Sequence, residues 1–253
     1  MLINLVLKMK SMGLLSKMYV EWYWKKKYGK FRHFITALEL HRKEINEQIF
    51  FIQIGTNDRV GYPLEEFISR EGWSGILIEP DKVTFERLVH NYSGLGSIKF
   101  ENVAISSQEE EKEFFYVSDR GNAPEWATEL NSLKKQGLEW LKTEYPSVTI
   151  SSKKLDCKPI GFILNKNRLD PAKVSIIQID TEGHDHVILQ SFDWTRLRPG
   201  IVIFEHRHLT QDEHKGACKL LTDNRYNLFF DIHDTLAYSN DIRETLFKRR
   251  YEL

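Results

Sequence analysis

The sequence predicts an α/β fold, a mostly parallel sheet flanked by helices, on three observations. Apolar runs at 51–54, 75–78, 174–179 and 201–204 have the near-continuous hydrophobicity of strands buried on both faces. Each run ends in a polar cluster, and segments with helical periodicity follow them, as in repeated β/α units. In open parallel sheets, ligands bind outside the carboxyl ends of the strands where strand order reverses, so Gly55, Glu79, Asp180 and Glu205 are expected to converge on one crevice.

The first run enters Gly55-Thr56-Asn57-Asp58-Arg59-Val60-Gly61, a turn whose two glycines let backbone approach a ligand closely. Pro63 pre-sets a helix with an apolar face at Leu64, Phe67 and Ile68. The second strand delivers Glu79 24 positions after Gly55, near the ~20-residue offset at which dinucleotide folds place a carboxylate for ribose hydroxyls. A helix over 84–91 and a third strand over 98–106 follow. The charged run 109–113 reads as a solvated connection into an extra strand, and 121–148 as a polar insertion with a helix over 133–142. Its rings, Trp126, Trp140 and Tyr145, either cover a substrate site or pin the loop to the core, two readings that stand equal.

The fourth strand ends in Asp180-Thr181-Glu182-Gly183-His184-Asp185, followed by a helix, and the next ends in Glu205-His206-Arg207-His208. After a helix around 212–223, strand-like runs at 226–230 and 235–238 have hairpin spacing and would close the sheet antiparallel.

At 253 residues, with 41% apolar and 12% aromatic content, one large core is expected. Net charge is zero, yet the first 32 residues carry eight Lys/Arg against Glu21, a local +7 that leaves −7 for the remainder. Residues 1–47 therefore read as a basic, aromatic-rich helical arm and 48–253 as the catalytic-sized domain with an insertion at about 118–150. The arm is a candidate for peripheral membrane or protein contact, set against a plain covering helix. Nothing outside it sustains a basic stripe for nucleic acid. The apolar run 2–7 is too short to span a bilayer and lacks signal-peptide flanks, and Cys157 and Cys218 lack metal-type spacing. A cytoplasmic protein is expected.

Asn57 stands where G-x-G-x-x-G would have its second glycine, and no P-loop lysine follows, which disfavours a pyrophosphate cofactor. An NAD-dependent oxidoreductase or epimerase is the competing enzyme reading, and a non-catalytic scaffold the competing binding reading. Asp180, Glu182, His184, Glu205 and His206 are the candidate proton acceptors, Asp180 and Glu182 foremost. No metal site is expected; the less favoured metal-dependent variant would use Asp180, Glu182 and a histidine such as His206.

Six ordered motifs over residues 48–240 resemble the FkbM family of S-adenosylmethionine-dependent methyltransferases. The turn through Asn57-Asp58 looks like the family's I-G-A-N-D-G, Ile78-Glu79-Pro80 like its E-P, and Asn102-Val103-Ala104-Ile105-Ser106 like its third-strand end. Leu155-Asp156 resembles its L-D step, Ile179 to Asp185 its I-D-x-E-G-x-D, and Pro199 to Glu205 its P-x-x-x-x-x-E. The resemblance implies a class I methyltransferase fold of Rossmann-like type, a seven-stranded, mostly parallel sheet with an antiparallel C-terminal hairpin. It implies S-adenosyl-L-methionine held by Gln53, Gly55, Asn57, Asp58, Gly61, Glu79, Pro80, Asn102, Ala104 and Asp180. Methyl transfer to a hydroxyl of a sugar, glycan or other small-molecule or natural-product acceptor is implied with it. The sequence departs from the family at Arg59, where relatives have glycine, and at His184, where an aromatic is common. Gln53 stands where many class I enzymes have an acid.

Overall fold

The computed structural model describes residues 34–58, 64, 67–68, 72–95 and 97–251. Most of the basic arm, with the docking expectation, lies outside them, as do Arg59, Gly61 and Pro63. A helix over 34–44 (α1) precedes β1 (Phe50–Ile54), and helical residues at Leu64, Phe67 and Ile68 lead to β2 (Ser74–Ile78), α2 (Lys82–Asn91) and β3 (Ile98–Glu101). Then come β4 (Ala104–Ile105), β5 (Glu110–Asp119), β6 (Asn131–Ser132), α3 (Gln136–Glu144) and β7 (Thr149–Lys158). The chain continues through α4 (Ile160–Lys166), β8 (Ile176–Ile179), α5 (Asp185–Gln190), β9 (Ile201–Glu205) and α6 (Gln211–Asp223). It ends in β10 (Asn227–Phe230), β11 (Asp234–Tyr238) and α7 (Asn240–Tyr251).

Seven strands form the main sheet in the order β3-β2-β1-β8-β9-β11-β10. Every pairing from β3 to β9 is parallel, and β11 runs antiparallel to both β9 and β10, the reversal expected of the terminal hairpin. Alternate residues of the central strands enter opposite cores: Ile52, Ile54, Ile177 and Ile179 pack on one face. Phe51, Leu77, Ile176 and Ile203 pack on the other, with Ile35, Ala37 and Leu38 of α1 among them. Burial on both faces is why these strands read as unbroken apolar runs. Residues 34–44, placed in the arm by charge, are thus a helix packed on the sheet.

Two expectations are corrected. The third strand does not run through 98–106: after Glu101 the chain leaves the main sheet, and Ala104 and Ile105 pair with Cys157 and Lys158 in a second, four-stranded sheet of order β4-β7-β5-β6. The run 109–113 is no solvated connection, because Glu110 to Glu113 are the first half of β5, paired antiparallel with β7. The excursion therefore spans β4 to β7, wider than the stretch at 118–150. It carries its own small core of Val117, Leu138, Leu141 and Val148, with Trp126, Trp140 and Tyr145 packed against it.

Thr210 caps α6 in a reciprocal box: its hydroxyl accepts from the Glu213 N–H (3.3 Å), and Glu213 Oε2 accepts from the Thr210 N–H (2.8 Å). Thr210→Ala is expected to cost about 1 kcal/mol and to lower the melting temperature by roughly 2–4 °C. A thermal melt unchanged from wild type would show the box to be idle. Among the described residues no helix is long and apolar enough to cross a membrane.

Candidate active site

At the carboxyl ends of β1, β2 and β8 lies a cavity lined by Gly55, Asn57, Glu79, Pro80, Ala104, Asp180, Glu182 and His184, all singled out from sequence. Ile78, Val103, Ile105 and Phe114 give it an apolar wall. The turn after β1 is left-handed at Gly55 (φ +75°) and Asn57 (φ +57°). Asparagine tolerates that region because its side chain bonds locally, here accepting from the Asp58 N–H at 2.7 Å. The Gly55 and Thr56 N–H groups both donate to the Ile78 carbonyl (3.0 and 3.1 Å), fixing the turn to the end of β2.

Glu79 follows directly and is 2% exposed. Its Oε2 accepts from the Asn57 N–H and its Oε1 from the Asp81 N–H, both at 2.9 Å. Burial pushes its carboxyl up to about 7; the two backbone donors oppose that, and the charges of Asp81 and Asp58 add to it. Asn102 stands behind this acid, donating to the Glu79 and Pro80 carbonyls (2.8 and 3.0 Å), so it shapes the turn without lining the cavity. Asp58 is paired with Arg87 of α2, and its carbonyl accepts from Asn91. Gln53 is buried on β1 in register with Gln178 of β8, outside the cavity lining.

The turn after β8 is left-handed at Glu182 (φ +54°) and Gly183 (φ +105°). A non-glycine residue in that region persists only where its surroundings over-determine it. The second sheet supplies the hold: the Ser132 hydroxyl lies 3.2 and 2.9 Å from the Thr181 and Glu182 carbonyls, and Gly137 packs so close that a Cβ there would lie 2.1 Å from the Glu182 carbonyl oxygen. Asp185, fully buried, accepts from the Thr181 hydroxyl (2.8 Å) and the Glu205 N–H (3.2 Å), tying the turn to the end of β9. Burial and then the charge of Asp180 raise its carboxyl to about 7. His184 Nε2 lies 3.2 Å from the Ser106 hydroxyl; burial, then Lys112 and Lys134, push its imidazole down to about 4.

Glu205 does not line the cavity. It meets Glu182 at His208, whose Nε2 is 3.0 Å from Glu182 Oε2 and 3.9 Å from Glu205 Oε2. Burial, then the carboxylates of Asp180, Glu182, Asp185 and Asp234, push the Glu205 carboxyl well above the ordinary range. Burial, with Arg207 and His233 adding positive charge, lowers His208 to about 4, while the adjacent Glu182 carboxylate acts the other way. His206 faces elsewhere, 3.0 Å from the Thr235 hydroxyl and stacked on His214.

His208 also lines an open groove of about 680 Å³ with Trp140, Arg207, Lys134, Gln136 and Glu213. Trp140 lies between Trp126 and His208 in a stacked row, with the Arg207 guanidinium 5.4 Å from its ring. Sequence reading gave His208, Arg207 and Lys134 no role. The run Glu205-His206-Arg207-His208 was the available signal, and it did not say which histidine turns inward.

A seven-stranded sheet of this order, with one reversed strand, a left-handed turn after β1 and a buried acid after β2, is the arrangement of a class I methyltransferase. The model of the methyltransferase FkbM domain matches residues 53–253, and the chain belongs to that family. No curated protein matches it. Among solved structures it is similar to precorrin-6y C5,15-methyltransferase from Geobacter metallireducens, with 10% identity, TM-score 0.40, and coverage of 80% of this chain and 87% of that one. It is also similar to the N-terminal domain of human METTL16 in complex with SAH (13%, 0.43, 80% and 66%) and to an RNA methyltransferase from Salinibacter ruber in complex with S-adenosyl-L-homocysteine (10%, 0.32, 81% and 89%). Likenesses at these scores say nothing of this chain's acceptor.

Family and fold imply S-adenosylmethionine as cofactor, and the donor set fits it. Glu79 offers a buried carboxylate whose oxygens each retain acceptor capacity beyond one backbone bond, as ribose hydroxyls require. Val103, Ile105 and Phe114 offer an apolar surface to a flat ring, and Gly55, Asn57, Asp180 and Glu182 add polar lining to the same cavity.

Proposed function

We propose that this protein methylates a hydroxyl oxygen of a sugar, glycan or related small-molecule acceptor seated in the Trp140 groove. The observation that carries this reading is the 3.0 Å contact between His208, which lines the groove, and Glu182, which lines the cavity. One pair of side chains therefore joins the place suited to the cofactor with a place open to an acceptor. The groove has the size of a small-molecule site. A flat indole suits the apolar face of a sugar ring, and Lys134, Gln136, Arg207 and Glu213 surround it with groups that bond hydroxyls.

When bound, the cofactor supplies an electrophilic methyl on a positively charged sulfur. The protein's tasks are to hold the acceptor oxygen in line and to keep water out. A sugar hydroxyl has a far higher pKa than an ordinary carboxylate or imidazole, so its proton leaves as the oxygen attacks, to such a group within hydrogen-bond reach. Asp180 and Glu182, which line the cavity, are the acceptors this reading favours; His184 is held against Ser106.

Titration with S-adenosylhomocysteine and with NAD, followed by mass spectrometry of candidate acceptors for a methyl increment, tests the reading. Tight NAD binding without S-adenosylhomocysteine binding would sink it. Trp140→Ala is expected to raise the acceptor KM about tenfold while leaving S-adenosylhomocysteine affinity unchanged. Weakening of both alike would place Trp140 in the fold's support and move the acceptor elsewhere.

A further inference from the structure

Where the cavity meets the groove, three ligand-type atoms converge from the turn after β8 and the end of β9: one oxygen each of Glu182 and Glu205 and a ring nitrogen of His208, all within 4.8 Å of one another. We propose that Glu182, Glu205 and His208 form a binding site for a first-row divalent cation such as Mn²⁺ or Zn²⁺.

Metal–ligand bonds of about 2.0–2.2 Å place neighbouring ligand atoms roughly 3.0–4.2 Å apart. The separations of 3.0 Å (His208 to Glu182) and 3.9 Å (His208 to Glu205) fall in that range. The third, between the two glutamate oxygens, is no more than 4.8 Å. Glu205 Oε2 is buried and makes no hydrogen bond, although burying a polar atom without a partner is costly. The side chains of all three residues are largely buried, with relative exposures of 18%, 13% and 10%. Two carboxylates and one imidazole are a mixed oxygen and nitrogen set, which suits manganese and zinc better than calcium.

The backbone is also set up for convergence. Glu182 is held left-handed by Ser132 and Gly137, Glu205 ends β9, and His208 follows three residues later. The groove side is left open for an oxygen ligand from outside. If the chain methylates a hydroxyl as proposed above, a cation here would bind and orient the acceptor oxygen, leaving Asp180 as proton acceptor. That role rests on the methyl-transfer reading, whereas the cation site rests on its own geometry.

Mn²⁺ binding, followed by electron paramagnetic resonance and calorimetry on the full chain, tests the site without any turnover. Wild type is expected to bind one Mn²⁺ with a dissociation constant well below about 1 mM. Glu205→Gln, which keeps the shape of the side chain, and His208→Ala are each expected to weaken binding by about tenfold or more. Glu109→Gln, on an exposed ion pair with Lys158, is expected to bind as wild type does. Circular dichroism of each variant confirms folding. Wild-type binding no tighter than millimolar, or equal binding by wild type and folded Glu205→Gln, would overturn the site. S-adenosylhomocysteine titration of the same samples separates the two readings: binding of that ligand without Mn²⁺ removes the cation and keeps the transferase, and the reverse keeps the cation and removes its role in methyl transfer.

Discussion

Gly55→Ala is expected to destabilise the protein by more than about 3 kcal/mol and to abolish S-adenosylhomocysteine binding. Two costs add. Gly55 has φ +75°, a region an alanine enters at a cost of roughly 1–2 kcal/mol. A Cβ there would also lie 1.9 Å from the Asp180 carbonyl oxygen and 2.8 Å from its carbon. That carbonyl cannot easily withdraw, because the Asp180 N–H donates to the Ile54 carbonyl (2.9 Å) at the end of the β1–β8 ladder. Either β1 and β8 separate where they form the cavity floor, or the turn rearranges and the Asn57 N–H leaves Glu79. Gly94→Ala is the control, since Gly94 has φ +98° with nothing within 4 Å of an added Cβ and would show the conformational cost alone. Urea unfolding of both variants checks the expectation, and equal losses would mean that the close approach of the two strands carries no weight.

The strand ends that meet at Gly55 are legible in the sequence. Strands β1, β2, β8 and β9 are buried on both faces, so each is a local apolar run, and the ligand-bearing turns follow them in sequence. Gly55, Glu79, Asp180 and Glu182 were therefore visible as strand-end residues. The second sheet was not, because β5 opens on the charged run Glu110 to Glu113 and its partner strand β7 lies some 40 residues away, where Lys154 reaches to 2.6 Å from Glu111. Such pairing leaves no local periodic signal. His208 was hidden for a related reason. Nothing in the spacing of Glu205-His206-Arg207-His208 says that His206 turns to Thr235 while His208 turns to Glu182, since Thr235 lies on β11 and Glu182 in the turn after β8. Asp58 shares the cofactor-type turn, and the structure adds what its position alone does not show: its carboxylate pairs with Arg87 on the neighbouring helix.

Binding of S-adenosylhomocysteine is expected to tighten as pH rises through 6 to 7 and to level off above about 8, and Glu79→Gln is expected to remove that dependence. Glu79 is raised to about 7 from an ordinary 4.5, first by burial. Because the folded value lies above the unfolded one, the folded state keeps its proton between those limits while the unfolded chain releases it. Stability from this group is thus greatest below pH 4.5 and falls as pH rises to 7, by a total of about 3 kcal/mol. Hydroxyls donated by a ribose favour the ionised carboxylate and reverse part of that loss, so binding releases a proton and affinity climbs by up to about tenfold per pH unit below 7. Glutamine cannot ionise, and one of the two backbone donors, at Asn57 or Asp81, would face its amide nitrogen. The variant should therefore bind on the order of 100-fold more weakly at pH 8, with a flat pH profile. Its folding stability should fall below wild type at pH 5 and approach it at pH 8, where the charged acid is itself a burden. Calorimetry across this range gives the answer: a wild-type affinity independent of pH, or the same slope in Glu79→Gln, would remove Glu79 from the cofactor's ribose.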